Sequence, residues 1–451
     1  MNTSNLTIHP QYRDSHRILI IGGGAGGLEL ATRLANTVGR RGLSEVTLVD
    51  RYPTHFWKPL LHEAASGHRD PASHHIEYAA LAKRNGFHFV QGELEDIDRS
   101  ECLATVGGIS DHDGNNILPR RVLRYDSLVL AVGSVTNFFN VPGAERYALP
   151  LENVEHAEKF RRKLLAACTK ANHFREAGAT LPAPTIHISV IGAGATGVEL
   201  SAALRNAINL LSAYHLESLD PQRDVRVRLI EGGRRILPAL DERVSMRTHA
   251  RLTHLGVEIL TSTPVSEVRA DSVVTGNGER LASDITVWAA GVAGPPILQA
   301  VEGIALSRLG QVLVGETLQT PDDPRIFAFG DCAACPSSIQ GAFLPPRAQV
   351  AHQQAVYLSR SFLERLTGKT VTQFTFRDAG TVVSLGPGGA VYQGDLGLRS
   401  RSLVVGGRSA KALYAFVYRR HLFALAGLKR AATETVSQWL RSRIRPAIKL
   451  H

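Results

Sequence analysis

The sequence predicts an α/β protein in which two separate units each contain a parallel β-sheet flanked by helices. The prediction rests on one pattern that occurs twice, namely an aliphatic run, a Gly-x-Gly-x-x-Gly turn and a helix-like run. The first copy reads HRILIIGGGAGGLEL at residues 16–30, and the second reads HISVIGAGATGVEL at residues 187–200. A glycine turn of this spacing between a strand and a helix is typical of a Rossmann-like domain. Two such domains are therefore expected.

The glycines of each turn have separate physical tasks. The first allows the sharp bend after the strand, the second lets the backbone approach a pyrophosphate, and the third lets the helix pack against the sheet. The free N–H groups at the helix N-terminus then face the phosphate charge. Because the chain contains 41 glycines, a turn that binds no ligand is the alternative for either copy. The candidate binding residues are Gly22, Gly24, Gly26 and Gly27 in the first turn and Gly192, Gly194 and Gly197 in the second.

An acidic residue ends the strand that follows each glycine turn. Asp50 ends the strand VTLVD, and Glu231 ends the strand VRVRLIE. A carboxylate in this place accepts hydrogen bonds from a ribose and repels a 2′-phosphate, so Glu231 favours NAD over NADP. The alternatives are a solvated strand end at Asp50 and phosphate binding by Arg234 and Arg235 in the second unit.

Three later segments divide the chain into domains. The runs SLVLAVGS and ITVWAAGVAGPP are strands that end in small residues, where Gly133 and Gly291 would let the chain pass close to a bound nucleotide. The run RIFAFGDCAA ends a strand at Gly330 and Asp331, and there the chain returns to the first unit. We therefore predict a first domain from residues 1–150 and 301–390, an inserted second domain from 151–300, and a C-terminal segment, 391–451.

From about Arg17 to about residue 400 the chain resembles the flavoproteins with two dinucleotide sites that are related to the disulfide reductases. Four segments are similar to one branch, the type II NADH:quinone oxidoreductases: HFWKPLLHEAASG, AVGSVTNFFNVPG, ATGVELSAAL and PPRAQVAHQQA. The resemblance implies FAD at the first glycine turn, with Gly330 and Asp331 against it. It also implies NADH at the second turn and a quinone as the electron acceptor.

The resemblance also implies a quinone site. The Ala-Gln-x-Ala-x-Gln motif, which begins at Ala348 and contains Gln349 and Gln353, would lie beside the flavin and the quinone. Glu199 would lie near the junction of nicotinamide, flavin and quinone.

For each of Glu199, Gln349 and Gln353 there is a role in quinone reduction and a purely structural alternative. Quinone reduction consumes two protons, and Glu199 is the candidate donor or relay. We place it in the first turn of a helix, where the macrodipole favours its charged form, so stabilising that helix end is the alternative. Gln349 and Gln353 would share one helix face. Their amides can hydrogen-bond quinone carbonyls without a permanent charge, and an ordinary polar helix surface is the alternative.

The cysteines and histidines suggest no further chemistry. The four cysteines, Cys102, Cys168, Cys332 and Cys335, do not suggest a disulfide framework and fit a reducing compartment. The pair Cys332-x-x-Cys335 lies outside the places where dithiol reductases carry their cysteines, so we predict no catalytic cysteine. We also predict no metal site.

The C-terminal segment is basic and amphipathic. The chain has a net charge of +10, and the only acid after Arg408 is Glu434. Val436, Trp439, Leu440 and Ile444 would lie on one helical face. No secretory signal and no membrane-spanning run is evident in the sequence. We predict peripheral attachment to anionic lipid on the cytoplasmic face of the inner (cell) membrane. Docking on the body or on a second subunit of a homodimer is the alternative, and no nucleic acid is expected.

The sequence therefore predicts FAD-dependent oxidation of NADH with two-electron reduction of a membrane quinone and without proton pumping. The enzyme alternatives are a sulfide:quinone reductase and a ferredoxin-type reductase. The non-enzyme alternative is a flavin-bearing redox sensor whose tail binds a membrane or a nucleic acid.

Overall fold

A computed structural model describes most of the chain. The described residues are 7–8, 15–111, 113–178, 180, 184–214, 216–386, 389–394 and 403–407 of 451. The predicted amphipathic helix of the C-terminal segment lies outside them.

The first part of the chain alternates strands and helices, as the sequence predicts. Its main elements are β1 His16–Ile21, α1 Ala25–Leu34, β2 Ser44–Asp50, α2 Leu61–Ala65, α3 Tyr78–Asn85, β3 His88–Gln91 and β4 Ser127–Leu130. The four strands are parallel and lie in the order β4-β1-β2-β3. Every residue of β4 is buried, which explains why it is aliphatic throughout rather than alternating.

The chain then forms a second sheet. Its elements are β5 Val135–Thr136, β6 Leu149–Pro150, α4 Val154–Glu176, β7 Ile186–Ile191, α5 Ala195–Tyr214, β8 Val225–Ile230, α6 Glu242–His254, β9 Val257–Leu260, β10 Ile285–Trp288 and β11 Val292–Ala293. Five parallel strands lie in the order β6-β10-β7-β8-β9. The short strands β5 and β11 pair antiparallel and join the segments that leave and re-enter the first unit.

The chain next returns to the first sheet. Strand β12, Ile326–Ala328, pairs with β4 and completes the order β12-β4-β1-β2-β3. The second sheet therefore comes from chain inserted between β4 and β12. Helix α7, Ala348–Leu366, packs against α1, and strand β13, Thr381–Ser384, packs against α5.

Smaller elements complete the described chain. Strands occur at Thr7–Ile8, Thr54–His55, Ile76–Glu77, Leu94–Asp98, Leu103–Val106, Ile109–Ser110, Asn116–Leu118, Arg121–Arg124, Val265–Val268, Ser272–Thr275, Arg280–Ala282, Val312–Leu313, Ala333–Ala334, Ala390–Gly394 and Leu403–Gly407. Short helical segments occur at Ala35–Gly39, Lys58–Leu60, Pro71–Ser73, Ala144–Tyr147, Pro221–Asp224, Ile297–Ala300 and Gly330–Cys332.

The two main hydrophobic cores follow the two sheets with two exceptions. Leu61, Ala64 and Ala65 of α2 precede the second sheet in sequence but are buried in its core, and so is Val383 of β13. One segment before the second sheet and one after it therefore pack on the second unit. Among the described residues, no helix is both long and apolar enough to cross a bilayer.

Candidate functional site

The first glycine turn joins β1 to α1 and is tightly packed except at one residue. Gly22 has φ of +104°, and a Cβ atom there would collide with the Ala131 carbonyl oxygen beyond β4. A Cβ atom at Gly27 would collide with the Gly22 carbonyl oxygen. Gly24, directly before α1, has no neighbouring atom within 4 Å of a Cβ position. The turn is closed towards the protein and open at Gly24, where a phosphate would meet the helix N-terminus.

The second turn has the same construction between β7 and α5. Gly192 has φ of +98°, and a Cβ atom there would lie 2.7 Å from Ala290 beyond β10. A Cβ atom at Gly197 would collide with the Gly192 carbonyl oxygen, whereas Gly194 has no neighbouring atom within 4 Å of a Cβ position. Each unit therefore offers one open glycine in a closed turn.

Asp50 and Glu231 make equivalent hydrogen bonds to their own turns. Asp50 Oδ2 accepts from the N–H of Gly23 at 2.6 Å, and Glu231 Oε2 accepts from the N–H of Ala193 at 2.7 Å. Burial raises the pKa of Asp50. Both acids thus hold the residue between the first two glycines of the motif. The predicted ribose contacts stay predictions.

The end of β12 meets the first turn. The Asp331 carboxylate accepts a hydrogen bond from the Ser134 hydroxyl at 3.1 Å, and burial raises its pKa. Cβ of Ala351 in α7 lies 3.3 Å from a Cβ position at Gly26 and 3.4 Å from one at Gly330. The first turn, the Gly-Asp motif and the helix that begins at Ala348 therefore converge.

Lys58 reaches the same region from the segment before α2. Its Nζ lies 3.9 Å from a Cβ position at Gly133, which has φ of +73°. Burial raises the pKa values of Asp50 and Asp331, and the positive charge of Lys58 partly opposes that rise. In the second unit the corresponding Gly291 lies against the ring of Phe139. Gly133 and Gly291 therefore have different surroundings.

The residues at the first turn fit a dinucleotide such as FAD. The N-terminus of α1 has no side-chain cap, so its N–H groups are available to an anion next to the open Gly24. Lys58 adds a cation, while Asp50 and Asp331 add acceptors for hydroxyl groups. The second turn repeats the open glycine and the acid, which suits a second dinucleotide.

Glu199 differs from its expected setting. It is the fifth residue of α5, in the second turn of the helix, so the expectation that it lies in the first turn and is kept charged by the macrodipole is wrong. The residue is 8% exposed, and burial raises its pKa to about 8. Oε1 accepts from the Ser384 N–H at 2.9 Å, and Oε2 lies 3.4 Å from Nδ1 of His62. This makes Glu199 a buried carboxyl group that can carry a proton at neutral pH.

Gln349 and Gln353 lie on one face of α7, but their amides already have partners. Gln349 donates to Asp378 Oδ1 at 2.7 Å and accepts from the Ala379 N–H at 3.2 Å. Gln353 donates to the Arg377 carbonyl at 2.7 Å and accepts from the Arg377 N–H at 3.0 Å. The pair therefore holds segment 377–379 against α7. The predicted contacts with quinone carbonyls stay predictions.

The four cysteine thiols are free, and three of them are buried. Burial raises the pKa of Cys168 and Cys332 to about 12 and that of Cys335 to about 11. Because the thiolate is the reactive form, these three thiols are poorly suited to sulfur or dithiol chemistry. Within the described ranges, no group of three His, Cys, Asp or Glu residues is arranged to hold a metal ion.

For several residues of the site, no motif or spacing in the sequence predicts a role. The Gly23 carbonyl accepts hydrogen bonds from the Tyr78 hydroxyl at 2.7 Å and from Nδ1 of His55 at 3.1 Å. The Gly330 N–H donates to Oε1 of Gln354 at 2.8 Å. His62 contacts Glu199, as described above. His55 and His62 lie in HFWKPLLHEAASG, so that resemblance was the only available signal.

Comparisons with known proteins agree with this architecture. The sequence profile of the family described as pyridine nucleotide-disulphide oxidoreductase matches residues 16–355. A curated Haemophilus influenzae protein named type II NADH:quinone oxidoreductase is 35% identical over 443 residues, which covers 96% of this chain and 99% of that protein. A Staphylococcus aureus protein of the same name is 28% identical and covers 83% of this chain and 88% of its own length.

Solved structures show the same fold. NDH2 from Plasmodium falciparum in complex with NADH gives a TM-score of 0.78 at 22% identity, covering 97% of this chain and 100% of that chain. The sulfide:quinone oxidoreductase of Aquifex aeolicus gives 0.72 at 18% identity and covers 92% of each chain. At these identities both matches concern the fold alone.

Proposed function

The chain belongs to the pyridine nucleotide-disulphide oxidoreductases and, among them, to the type II NADH:quinone oxidoreductases, and from this premise we propose that it oxidises NADH and reduces a membrane quinone by two electrons. It does so without proton pumping. The observation that carries the proposal is Glu199, a buried carboxyl group with a pKa of about 8 on the helix that follows the second glycine turn. A quinone needs two protons on reduction, and a group with this pKa can supply one near neutral pH.

The first domain, residues 1–150 and 301–390, binds FAD. The phosphate turn consists of Gly22, Gly24, Gly26 and Gly27, and Asp50 binds the ribose. The rest of the FAD site is lined by Gly133, Gly330, Asp331 and Ala348. The open Gly24 and the uncapped N-terminus of α1 support this assignment. FAD, when bound, supplies the two-electron chemistry between the two substrates.

The inserted domain, residues 151–300, binds NADH. Gly192, Gly194 and Gly197 form its phosphate turn, and Gly291 lies where the chain passes the nucleotide. Glu231 receives the ribose 2′-hydroxyl, and its negative charge disfavours the 2′-phosphate of NADPH. The bond from the Ala193 N–H already places the Glu231 carboxylate at the turn.

The quinone head group binds between the first turn and Glu199. The segment Lys58–His62 supports this location, because Lys58 lies at Gly133 and Asp331 while His62 contacts Glu199. Glu199 supplies a proton to the quinone oxygen. Gln349 and Gln353 shape the site through segment 377–379, and a direct contact with a quinone carbonyl would exchange one of the hydrogen bonds to that segment.

The enzyme attaches to the cytoplasmic face of the inner membrane through residues 391–451. The ten basic side chains after Gly407 support this attachment, since each is worth about 1 kcal/mol near an anionic leaflet. Association of two copies is compatible with this arrangement. The raised pKa values of Cys168, Cys332 and Cys335 speak against the sulfide:quinone alternative.

Two half-reactions test the proposal. The purified yellow protein is mixed with NADH without oxygen, and flavin absorbance is followed; a soluble quinone analogue is then added. We expect rapid bleaching by NADH and rapid recovery with quinone. Bleaching without recovery would identify a reductase or redox sensor with another acceptor. Bleaching by sulfide but not by NADH would replace the proposal with the sulfide:quinone activity.

A further inference from the structure

His62 is a buried histidine that touches the proposed proton donor. It is 4% exposed, and its Nδ1 lies 3.4 Å from Glu199 Oε2. The other oxygen, Oε1, accepts the Ser384 N–H from β13 at 2.9 Å. Glu199 is therefore held from two sides by segments that come from different parts of the chain.

Apolar and charged residues both surround this pair, and we call the partly exposed polar ones, Glu63, His68 and Arg69, the α2 edge. Leu61, Ala64 and Ala65 are buried in the core of the second unit. Glu63, next to His62, is partly exposed and pairs with Nε of Arg69 at 2.7 Å. His68 is also partly exposed, accepts or donates a hydrogen bond with the Ser66 hydroxyl at 2.8 Å, and contacts Asn206 of α5. A polar edge thus lies directly beside His62 in the chain.

The protonation states of these groups differ. Burial raises the pKa of Glu199, the negative charge of Glu63 adds to this, and the Ser384 N–H opposes it. Burial lowers the pKa of His62, so the imidazole is neutral at physiological pH. Burial acts to raise the pKa of Glu63, but the charge and hydrogen bond of Arg69 and the two neighbouring histidines together lower it below its usual value, so Glu63 is ionised. A neutral imidazole therefore contacts a protonated buried acid and is followed in the chain by an ionised one.

We propose, as an extension that rests on the proposed function, that His62 is the positioning residue of Glu199 and returns its proton from the α2 edge. In the resting protein a ring N–H of His62 donates to the Pro59 backbone carbonyl. After Glu199 gives its proton to the quinone oxygen, the ring turns this N–H to Oε2 and passes the proton to it. The ring takes a replacement proton at its other nitrogen from the partly exposed groups of the α2 edge, whose charges act on His62. One proton enters for each proton delivered, no electron moves in these steps, and rotation of the ring restores its starting form.

The first measurement does not need turnover. The carbonyl infrared band of protonated Glu199, identified by its loss in Glu199→Gln, is titrated against pH in the oxidised protein. We expect a midpoint near the pKa of about 8 in the unchanged protein. In His62→Ala, water entering the vacated space should hydrate the carboxylate and lower the midpoint by about one unit or more. The bulkier His62→Gln should lower it less.

The second measurement separates proton return from packing. Oxidation of the reduced flavin by a soluble quinone should slow by about tenfold or more in both His62 variants, since positioned proton transfer contributes on this scale. Bleaching by NADH should stay within about twofold, because the hydride step needs no proton from Glu199. Added imidazole should restore quinone reduction in His62→Ala.

The chain supplies a matched control. His187 Nδ1 lies 3.5 Å from Asp284 Oδ2, nearly the separation of His62 and Glu199, but in a more exposed pair on the second sheet. His187→Gln should leave both the infrared midpoint and quinone reduction unchanged. An unchanged midpoint and unchanged quinone reduction in His62→Gln and His62→Ala would overturn the inference.

Failure of the proposed function looks different. If the unchanged protein does not pass electrons to quinone, the infrared titration still reports whether His62 controls Glu199. If His62→Ala does not fold, the His62→Gln midpoint and rate carry the test.

Discussion

Alanine substitution at the two open glycines, Gly24 and Gly194, should weaken nucleotide binding without destabilising the folded protein. A Cβ atom at Gly24 or Gly194 meets no neighbouring atom within 4 Å, and Gly24 has φ of −58°, which alanine adopts freely. Gly→Ala at such a position stabilises a protein by about 0.4–1 kcal/mol, because it restricts the unfolded chain. Gly24→Ala should therefore leave the FAD-free protein as stable as before, or slightly more stable.

The cost should appear only when the nucleotide binds. A methyl group forced into a close-packed contact costs about 1–3 kcal/mol, which weakens binding by about 5- to 150-fold. Gly24→Ala should raise the dissociation constant for FAD by this factor. Gly194→Ala should retain FAD and raise KM for NADH by a comparable factor. Each variant is the control for the other, because the two turns share one construction.

Three assays decide between outcomes. Unfolding of the FAD-free protein measures stability, titration of that protein with FAD measures cofactor affinity, and flavin bleaching at varied NADH measures the second site. If Gly194→Ala released FAD while Gly24→Ala kept it, the assignment of the two domains would be reversed. If either variant unfolded without ligand, the inference from open space at the turn would be refuted.

Three further predictions concern single polar side chains. Glu231→Gln removes a negative charge at the second turn, so kcat/KM for NADPH relative to NADH should rise, and an unchanged ratio would exclude Glu231 from the choice of nucleotide. Arg205→Met leaves three backbone carbonyls, of Pro221, Val225 and Leu255, without their donor and should lower the free energy of unfolding by about 3 kcal/mol. The exposed Arg226→Met should cost less than about 1 kcal/mol in the same denaturant titrations. Burial lowers the pKa of His55 to about 4 from 6.5, so the unfolded chain binds more protons between these values, and stability should be complete above pH 6.5 and fall as pH drops towards 4. His55→Gln should flatten that pH dependence, and a parallel loss of stability in both proteins would assign it to another group.

The parts of the fold that follow local rules could be predicted from sequence. The strand, glycine turn and helix that begin each unit are set by residues close together in the chain, and the structure has them where the pattern indicates. The sequence also predicted that the chain returns to the first unit at Gly330, and in the structure the strand before Gly330 pairs with β4. These features depend on runs of hydrophobic residues and on glycines at positions where a side chain would collide, and both can be recognised in the sequence.

Partners that come from distant segments could not be predicted. The spacing of Gln349 and Gln353 correctly placed them on one helix face, but not the segment 377–379 that occupies their amides. The helix-terminal setting expected for Glu199 failed for a related reason. Its environment is set by α2 and β13, which are far from it in sequence, and desolvation there outweighs any helix-dipole effect.

The two copies of the glycine-turn motif show that contacts with distant segments decide what an acidic side chain does. Glu29 occupies in the first turn-and-helix motif the same place as Glu199 in the second, two residues after the third glycine. Glu29 is 1% exposed, and its oxygens lie 2.8 Å from Nε of Arg33 and 2.7 Å from Nδ1 of His352 in α7. Glu29 thus pairs with the permanent cation of Arg33, and its contact with His352 ties α1 to α7.

Glu199 contacts instead a backbone N–H and a histidine whose pKa is lowered by burial. Neither neighbour brings a full positive charge, so the desolvated carboxyl group keeps its proton to about pH 8. The same motif therefore yields a structural ion pair in one unit and a protonatable acid in the other. The difference lies in Arg33, one helical turn after Glu29, whereas the matching position after Glu199 is Ala203.

Moving that arginine into the second unit, as Ala203→Arg, would place a permanent cation within one helical turn of Glu199. The variant should lower the infrared midpoint of Glu199 and slow quinone reduction while NADH still bleaches the flavin. A variant that lowers the midpoint but reduces quinone at the normal rate would show that the proton comes from another group.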